Sequence, residues 1–313
     1  FPTRRSSDLA AEVAFEAEPG TLSETKLTGI REVGVTRLSL GVENFDDHIL
    51  ETNGRAHRSG EIDKAYRFAR TLGFEHINID LIAGMMNETE ANWKDTVAKA
   101  VQLGPDAVTI YQMEVPYNTT MYQQMKAEGK VTAPVADWQT KRDWVSYAFD
   151  EFVKAGYTVT SAYTVVKDPE RIKFVYRDAL WEGADLLSCG VASFGHLGGV
   201  HYQNQADVGP YMQALDAGQM PIFRAYQTNA EERFVREFIL KLKLGHSAFE
   251  YYQNKFNQSP RQFFAPQLES LAKQGFATLT DQDITLTRHG LLQVDRLLHD
   301  FFLPQHRQYA RYT

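Results

Sequence analysis

The 313-residue chain carries 33 basic against 40 acidic residues, a formal net charge of −7, with 43% hydrophobic and 23% charged residues. That length allows a large α/β domain and a smaller second one, and the charge balance argues against a surface that attracts nucleic-acid phosphates as a whole. No apolar run approaches the roughly 20 residues needed to span a bilayer, and the single cysteine, Cys189, excludes an internal disulfide and points to a reducing compartment, the cytoplasm.

The first nine residues, Phe1 to Leu9, have no apolar core and no small-residue cleavage site, so they do not read as a signal peptide. Their composition breaks from the patterned sequence that follows and resembles a translated adapter, so residues 1–9 are expected to be a non-native leader. From Glu12 onward, short β-rich runs alternate with longer helical stretches, which predicts βαβ units and a parallel sheet. The strands are expected at Glu12–Ala17, Thr36–Val42, His76–Ile82, Asp106–Met113, Thr158–Ala162 and Asp185–Val191, apolar on both faces as buried parallel strands are. Helices are expected at Ser23–Val33, Ile62–Leu72, Glu90–Leu103 and Trp138–Ala155. Each is closed by a glycine, Gly34, Gly73, Gly104 and Gly156 in turn, which is the usual stop just past a helix.

The pattern changes after about Thr228. Glu231–Leu244 reads as an amphipathic helix, followed by helical stretches over Ser247–Phe256 and Pro260–Gln274, a hairpin around Asp281-Gln282-Asp283, and a final helix over Arg288–Phe302. The architecture predicted is α/β: a partial parallel (βα) barrel over residues 10–226 and a helical, winged-helix-like domain over 227–313. The central helices of that second domain carry Lys255, Arg261 and Lys273 offset by Glu250 and Glu269, too sparse a basic face for a base-reading helix, so a packing or substrate-covering role is expected and no nucleic-acid partner.

A charged residue at the carboxy end of a parallel barrel strand points into the mouth where such folds place their sites. Glu16, Glu43, Asp80 and Glu114 fall at such positions. The competing assignment is that these carboxylates cap helices or pair with lysines, as is open for Glu114 and Glu18. For Asp80, set inside the apolar run Ile77–Gly84, an unpaired carboxylate would be costly and a site role is favoured. His196 and His201 flank Gly198-Gly199 and could face a ligand or simply solvent. Arg177, beside Tyr176 and near Trp181, could meet an acidic ligand or a neighbouring acid. Cys189 is expected to be a small buried residue. No His/Asp/Glu grouping has metal-ligand spacing, so no metal site is assigned.

Several segments share an order. Phe15 to Thr21 (FEAEPGT), Ser39 to Phe45 (SLGVENF), Asn53 to His57 (NGRAH), Asn78 to Met85 (NIDLIAGM), Tyr111 to Pro116 (YQMEVP) and Cys189 to Asn204 (CGVASFGHLGGVHYQN) resemble, in sequence, the motifs of the oxygen-independent coproporphyrinogen III oxidase family of radical S-adenosylmethionine (SAM) enzymes. The resemblance covers nearly everything after residue 10. It implies SAM and a [4Fe–4S] cluster as cofactors, a tetrapyrrole substrate or haem, and an electron donor such as flavodoxin or ferredoxin. In such an enzyme, SAM is cleaved reductively and a hydrogen is abstracted from a tetrapyrrole side chain.

Carried over residue by residue, the resemblance places Glu16 on the methionine or ribose part of SAM, Arg55 near the methionyl carboxylate, Asp80 on the ribose hydroxyls and Met113 beside adenine. Glu43 stands where the family commonly has glutamine, keeping an acceptor and losing the amide donor. A cationic sulfonium, an amine and a diol favour carboxylates, and a carboxylate favours arginine, so these residue types suit that ligand. The cluster would need three cysteines in a C-x-x-x-C-x-x-C run, which this sequence lacks, so the expectation is an N-terminally truncated, inactive piece of a radical SAM oxidoreductase. Members with other work leave two alternatives, a haem-binding chaperone and a radical SAM methyltransferase.

Overall fold

The computed structural model describes residues 10–115 and 135–307; the leader reading and Pro116 of the fifth motif lie outside them. The chain divides into two compact units after Val175, and each is described by itself.

The first unit is built on a six-stranded sheet in the order β1-β2-β3-β4-β6-β5, with β1 at Ala14–Ala17, β2 at Arg37–Glu43, β3 at His76–Ala83, β4 at Ala107–Gln112, β5 at Thr158–Val159 and β6 at Thr164–Val166. Strands β1 to β4 pair in parallel, as expected. Helices α1 (Glu24–Glu32), α3 (Ser59–Thr71) and α4 (Glu90–Leu103) make the crossovers, with α2 (Asp47–Thr52) inserted after β2 and α5 (Trp138–Lys154) following β4. The four glycines expected to stop helices all take positive φ; at Gly104 the left-handed turn lets its N–H reach the Ala100 carbonyl, closing α4.

Two expectations fail here. The strands are not apolar on both faces: Leu38, Leu40 and Val42, Ile77, Ile79 and Leu81, and Val108 and Ile110 fill one buried face, while Ser39, Asn78, Asp80 and Thr109 form a polar row on the other, aligned by the register Ser39↔Asn78 and Asp80↔Thr109. Alternation with period two puts successive side chains on opposite faces, so these strings encode a two-faced sheet. Nor does the parallel order continue. β6 runs antiparallel to β4, and β5 antiparallel to β6, because the turn around Tyr163 is too short for a crossover and only a hairpin can form.

The second unit starts with α6 (Val175–Trp181) and a three-stranded antiparallel sheet, β7 (Phe194–Leu197), β8 (Val200–Asn204) and β9 (Ile222–Gln227), with α7 (Val208–Asp216) between the last two. The strand expected at Asp185–Val191 is absent; only an isolated bridge joins Leu186 to His196. Cys189 is accordingly exposed, not buried. The unit boundary lies at 175/176, while the sequence division at 226/227 falls at the end of β9, because β7 to β9 pair with one another and add nothing to the parallel sheet.

The winged-helix-like part follows: α8 (Ala230–Leu242), β10 (His246–Ala248), α9 (Phe249–Phe256), α10 (Pro260–Phe263), α11 (Ala265–Lys273), β11 (Ala277–Leu279) and β12 (Asp283–Leu286), with the strands ordered β10-β12-β11. Short helices α12 (Arg288–Leu291), α13 (Val294–Leu298) and α14 (Pro304–Arg307) complete it. Its core is aromatic: Phe234 and Phe238 pack against Tyr252, Phe264 and Phe301, stacking that exceeds plain area burial. Among the described residues, no helix is long and apolar enough to cross a membrane.

Candidate functional site

The polar row ends at the carboxy edge of β1 to β4. Asp80 is its centre: Oδ2 accepts from Ser39 Oγ at 3.0 Å and Oδ1 from Asn78 Nδ2 at 2.9 Å, while Thr109 Oγ1 donates to Asn78 Oδ1 at 3.1 Å. Desolvation pushes the Asp80 carboxyl up to about 6, against the lowering effect of those donors and with a further push from the charge of Glu16. Glu16 therefore shares the face with Asp80, as its register with Ser39 also requires.

Glu43 ends β2 in a conformation that is rare for a residue with a side chain, φ 65°. The register slips between Gly41 and Glu43 at this point, and the bulge curls the carboxylate back over Gly41, whose missing Cβ leaves the space: a methyl there would stand 3.2 Å from Glu43 Oε1. Burial raises Glu43 to about 7; Arg55 opposes this, and the charges of Asp80 and Glu18 add to it. Arg55 lies between two acids, with Nη1 at 2.9 Å from Glu18 Oε1 and Nη2 at 3.4 Å from Glu43 Oε1. The other Glu43 oxygen, Oε2, is buried with no hydrogen-bond partner among the described residues. A buried acceptor in that state is costly unless something else satisfies it.

Of the sequence-derived set, Glu43, Arg55 and Asp80 thus come together, with Glu16 beside them. Met113 follows β4 at the same edge: its N–H donates to the Ala83 carbonyl and its carbonyl accepts from Lys141 Nζ at 2.7 Å. Glu18, weighed as a helix cap, is the partner of Arg55, and its Oε2 stands 3.6 Å from Nδ1 of the fully buried His57, whose Nε2 donates to the Val42 carbonyl. A cleft of about 630 Å³ opens between β1 and α1, lined by Glu16 and Glu18 and by apolar Phe15, Leu22, Ile30 and Val33.

Sequence reasoning missed the layer beneath. Glu88 accepts from the backbone N–H groups of Gly84 and Met85 and from Asn44 Nδ2, and burial raises it to about 7. Asn44 in turn accepts from Thr96 Oγ1 and from the Asp46 N–H, so it locks the loop after Glu43 to α4. Both residues stood inside or beside quoted segments, but nothing in the sequence from Met85 to Glu90 announces a buried acid.

In the second unit, Arg177 is paired with Asp178 and lies over the Trp181 ring. His196 is buried on β7 with Nδ1 unpartnered, and His201 faces it from β8. Among the described residues no group of three His, Cys, Asp or Glu could hold a metal ion.

The Radical SAM superfamily profile matches residues 4–100, the stretch that supplies β1 to β3 and the acids on them. Heme chaperone HemW of Bacillus subtilis is 26% identical over 299 residues, covering 92% of this chain and 74% of that protein. Oxygen-independent coproporphyrinogen III oxidase of Pseudomonas aeruginosa is 26% identical over 314 residues, covering 95% and 67%. The solved structure of coproporphyrinogen III oxidase (HemN) from Escherichia coli shares the fold, with a TM-score of 0.79 at 21% identity over 93% of this chain and 69% of that one. Motif order, parallel sheet and relatives agree: residues 4–100 carry a radical SAM superfamily domain, and nearly the whole chain is similar to oxygen-independent coproporphyrinogen III oxidases and to the HemW haem chaperones.

Proposed function

We propose that the carboxy edge of β1 to β4 binds SAM, and that the whole protein is a radical SAM oxidoreductase acting on a porphyrin-type substrate in the cytoplasm. The observation that carries the SAM assignment is the buried, unpartnered Glu43 Oε2 beside Arg55 and Asp80: an acceptor waiting for a donor, next to a cation suited to a carboxylate. Asp80, held rigid by Ser39 and Asn78, accepts from the ribose hydroxyls. Arg55 meets the methionyl carboxylate, Glu16 takes the amine or ribose side, and Met113 offers its thioether and backbone to adenine. When bound, SAM supplies the hydrogen-abstracting chemistry of the superfamily.

The residues present fit SAM and do not fit the cluster. A [4Fe–4S] cluster needs cysteine thiolates, and these 313 residues contain one cysteine, in the second unit. A second reading, haem binding without turnover, is supported by the equal 26% identity to the B. subtilis haem chaperone and to the P. aeruginosa oxidase.

The test is calorimetric titration of the 313-residue chain with SAM. Binding is expected, weakened about tenfold or more by Asp80→Asn and by Arg55→Ala, since each removes a charge partner of a desolvated ligand group. Equal affinity in both variants would remove SAM from this edge.

A further inference from the structure

The turn that follows β3, Gly84 to Glu88, fastens Asp80, Glu43 and Arg55 to one another without contributing any of the three. Gly84 continues the strand that carries Asp80, and its φ of 89° bends the chain away from the sheet. Asn87, at φ 64°, bends it back, so that the Glu88 carboxylate meets its own turn: Oε2 accepts from the N–H of Gly84 at 2.6 Å and from that of Met85 at 3.0 Å. Two links leave the turn. Glu88 Oε1 accepts from Asn44 Nδ2 at 2.8 Å, and Asn44 directly follows Glu43. The Met86 N–H donates to Asn53 Oδ1 at 2.9 Å while its carbonyl accepts from Asn53 Nδ2 at 3.1 Å, and Asn53 stands two residues before Arg55.

Asn44 leaves no freedom in this arrangement. It is fully buried. Its amide hydrogens go to Glu88 and to Asn92 Oδ1 at 3.0 Å, and its oxygen accepts from Thr96 Oγ1 at 3.0 Å and from the Asp46 N–H at 2.9 Å. A side-chain amide has two donors and two lone pairs, so its capacity is filled and it cannot turn over without leaving buried groups unpaired. With Asn44 fixed, the backbone of Glu43 is held at φ 65° between that anchor and the bulge in β2. Glu88 faces donors alone, two backbone N–H groups and one amide. A carboxylate suits that set, whereas a glutamine would set its own N–H against that of Asn44.

We infer that Glu88 is a positioning residue of the edge proposed to bind SAM, setting through Asn44 where the Glu43 carboxylate stands relative to Asp80 and Arg55. The identity of the ligand rests on the function proposed above, while the placing of Glu43 follows from the turn alone. The charges that act on Glu43 are those of Arg55, Asp80 and Glu18, so a changed Glu43 titration after substitution of Glu88 reports displacement and not a lost neighbouring charge.

The experiment compares the whole chain with Glu88→Gln and with the double variant Glu88→Gln/Asn44→Asp, in which donor and acceptor change places and the Asn92 amide can turn to match. The Glu43 midpoint is read by carbon-13 NMR of the glutamate carboxyls, its signal identified by its loss in Glu43→Gln, and SAM affinity by calorimetry at pH 8. Glu88→Gln is expected to lower the Glu43 midpoint by about half a pH unit or more and to weaken SAM about tenfold, and the double variant to bring both back towards the parent. A Glu43 midpoint that does not move in Glu88→Gln, or that moves and does not return in the double variant, overturns the inference, whatever happens to the urea midpoint. A Glu43 midpoint that moves and returns in a chain that does not bind SAM keeps the role of Glu88 and removes the SAM reading. SAM binding by a chain whose Glu43 midpoint ignores Glu88→Gln does the reverse. Should Glu88→Gln not fold, a double variant that folds with the parent's Glu43 midpoint supports the inference, and one that fails to fold overturns it.

Discussion

Glu43 is the residue on which the first unit's electrostatics turn. Its folded value of about 7 lies above the ordinary 4.5, so the folded protein holds a proton there that the unfolded chain has already released. The raised value makes ionisation unfavourable to the fold: stability is highest when Glu43 is protonated and declines as pH rises through about 7. From about pH 6 to about pH 8 the loss attributable to this one group is roughly 1 kcal/mol. Glu43→Gln should remove that slope in urea titrations run at the two pH values, and leave the variant more stable than the parent at the higher one. A slope unchanged in Glu43→Gln would mean that Glu88, also raised to about 7, is the group responsible. Asp80 was legible in the sequence because a carboxylate inside an apolar run must have partners. Glu88 and Asn44 were not, because neither residue stands in an apolar setting until α4 folds over the loop.

At the scale of elements, the four parallel strands and the helices between them could be read from alternation and glycine stops, which are local. The pairing direction of β6 and the separate sheet β7-β8-β9 could not, because strand direction depends on connection length and on which partner edge is free, not on side-chain pattern. The strand-to-loop turn at Gly84 shows the same dependence on context. Its φ is 89°, and a Cβ there would stand 2.7 Å from Lys141 Cγ; Lys141 is itself buried and bonded to the Met113 carbonyl. Gly84→Ala combines backbone strain with displacement of Lys141 and is expected to cost about 2 kcal/mol or more in equilibrium unfolding. Gly29 is the contrast. It sits inside α1 with open space around its missing Cβ, so Gly29→Ala should stabilise by about 0.5–1 kcal/mol. Equal effects at the two glycines would refute the argument from local conformation.

For the molecule as a whole, cofactor fit separates two requirements that the superfamily normally combines. The acids and the arginine proposed for SAM are gathered at the carboxy edge of the first unit's sheet, whereas the thiolates for iron are not among these residues: Cys189, exposed, lies in the second unit. One thiolate cannot hold three irons of a cluster. Anaerobic reconstitution of the 313-residue chain with iron and sulfide is therefore expected to give no sulfide-to-iron charge-transfer band beyond that of Cys189→Ser, and no 5′-deoxyadenosine from SAM under reducing conditions. SAM affinity by calorimetry should be the same before and after that treatment, because the groups proposed to bind it do not need the iron. Cluster absorption that survives in Cys189→Ser would show that other side chains ligate iron, and would reopen the assignment of His196 and His201. SAM binding that appears only after reconstitution would place the ligand's main contact on the metal and reduce Glu43, Asp80 and Arg55 to a supporting part.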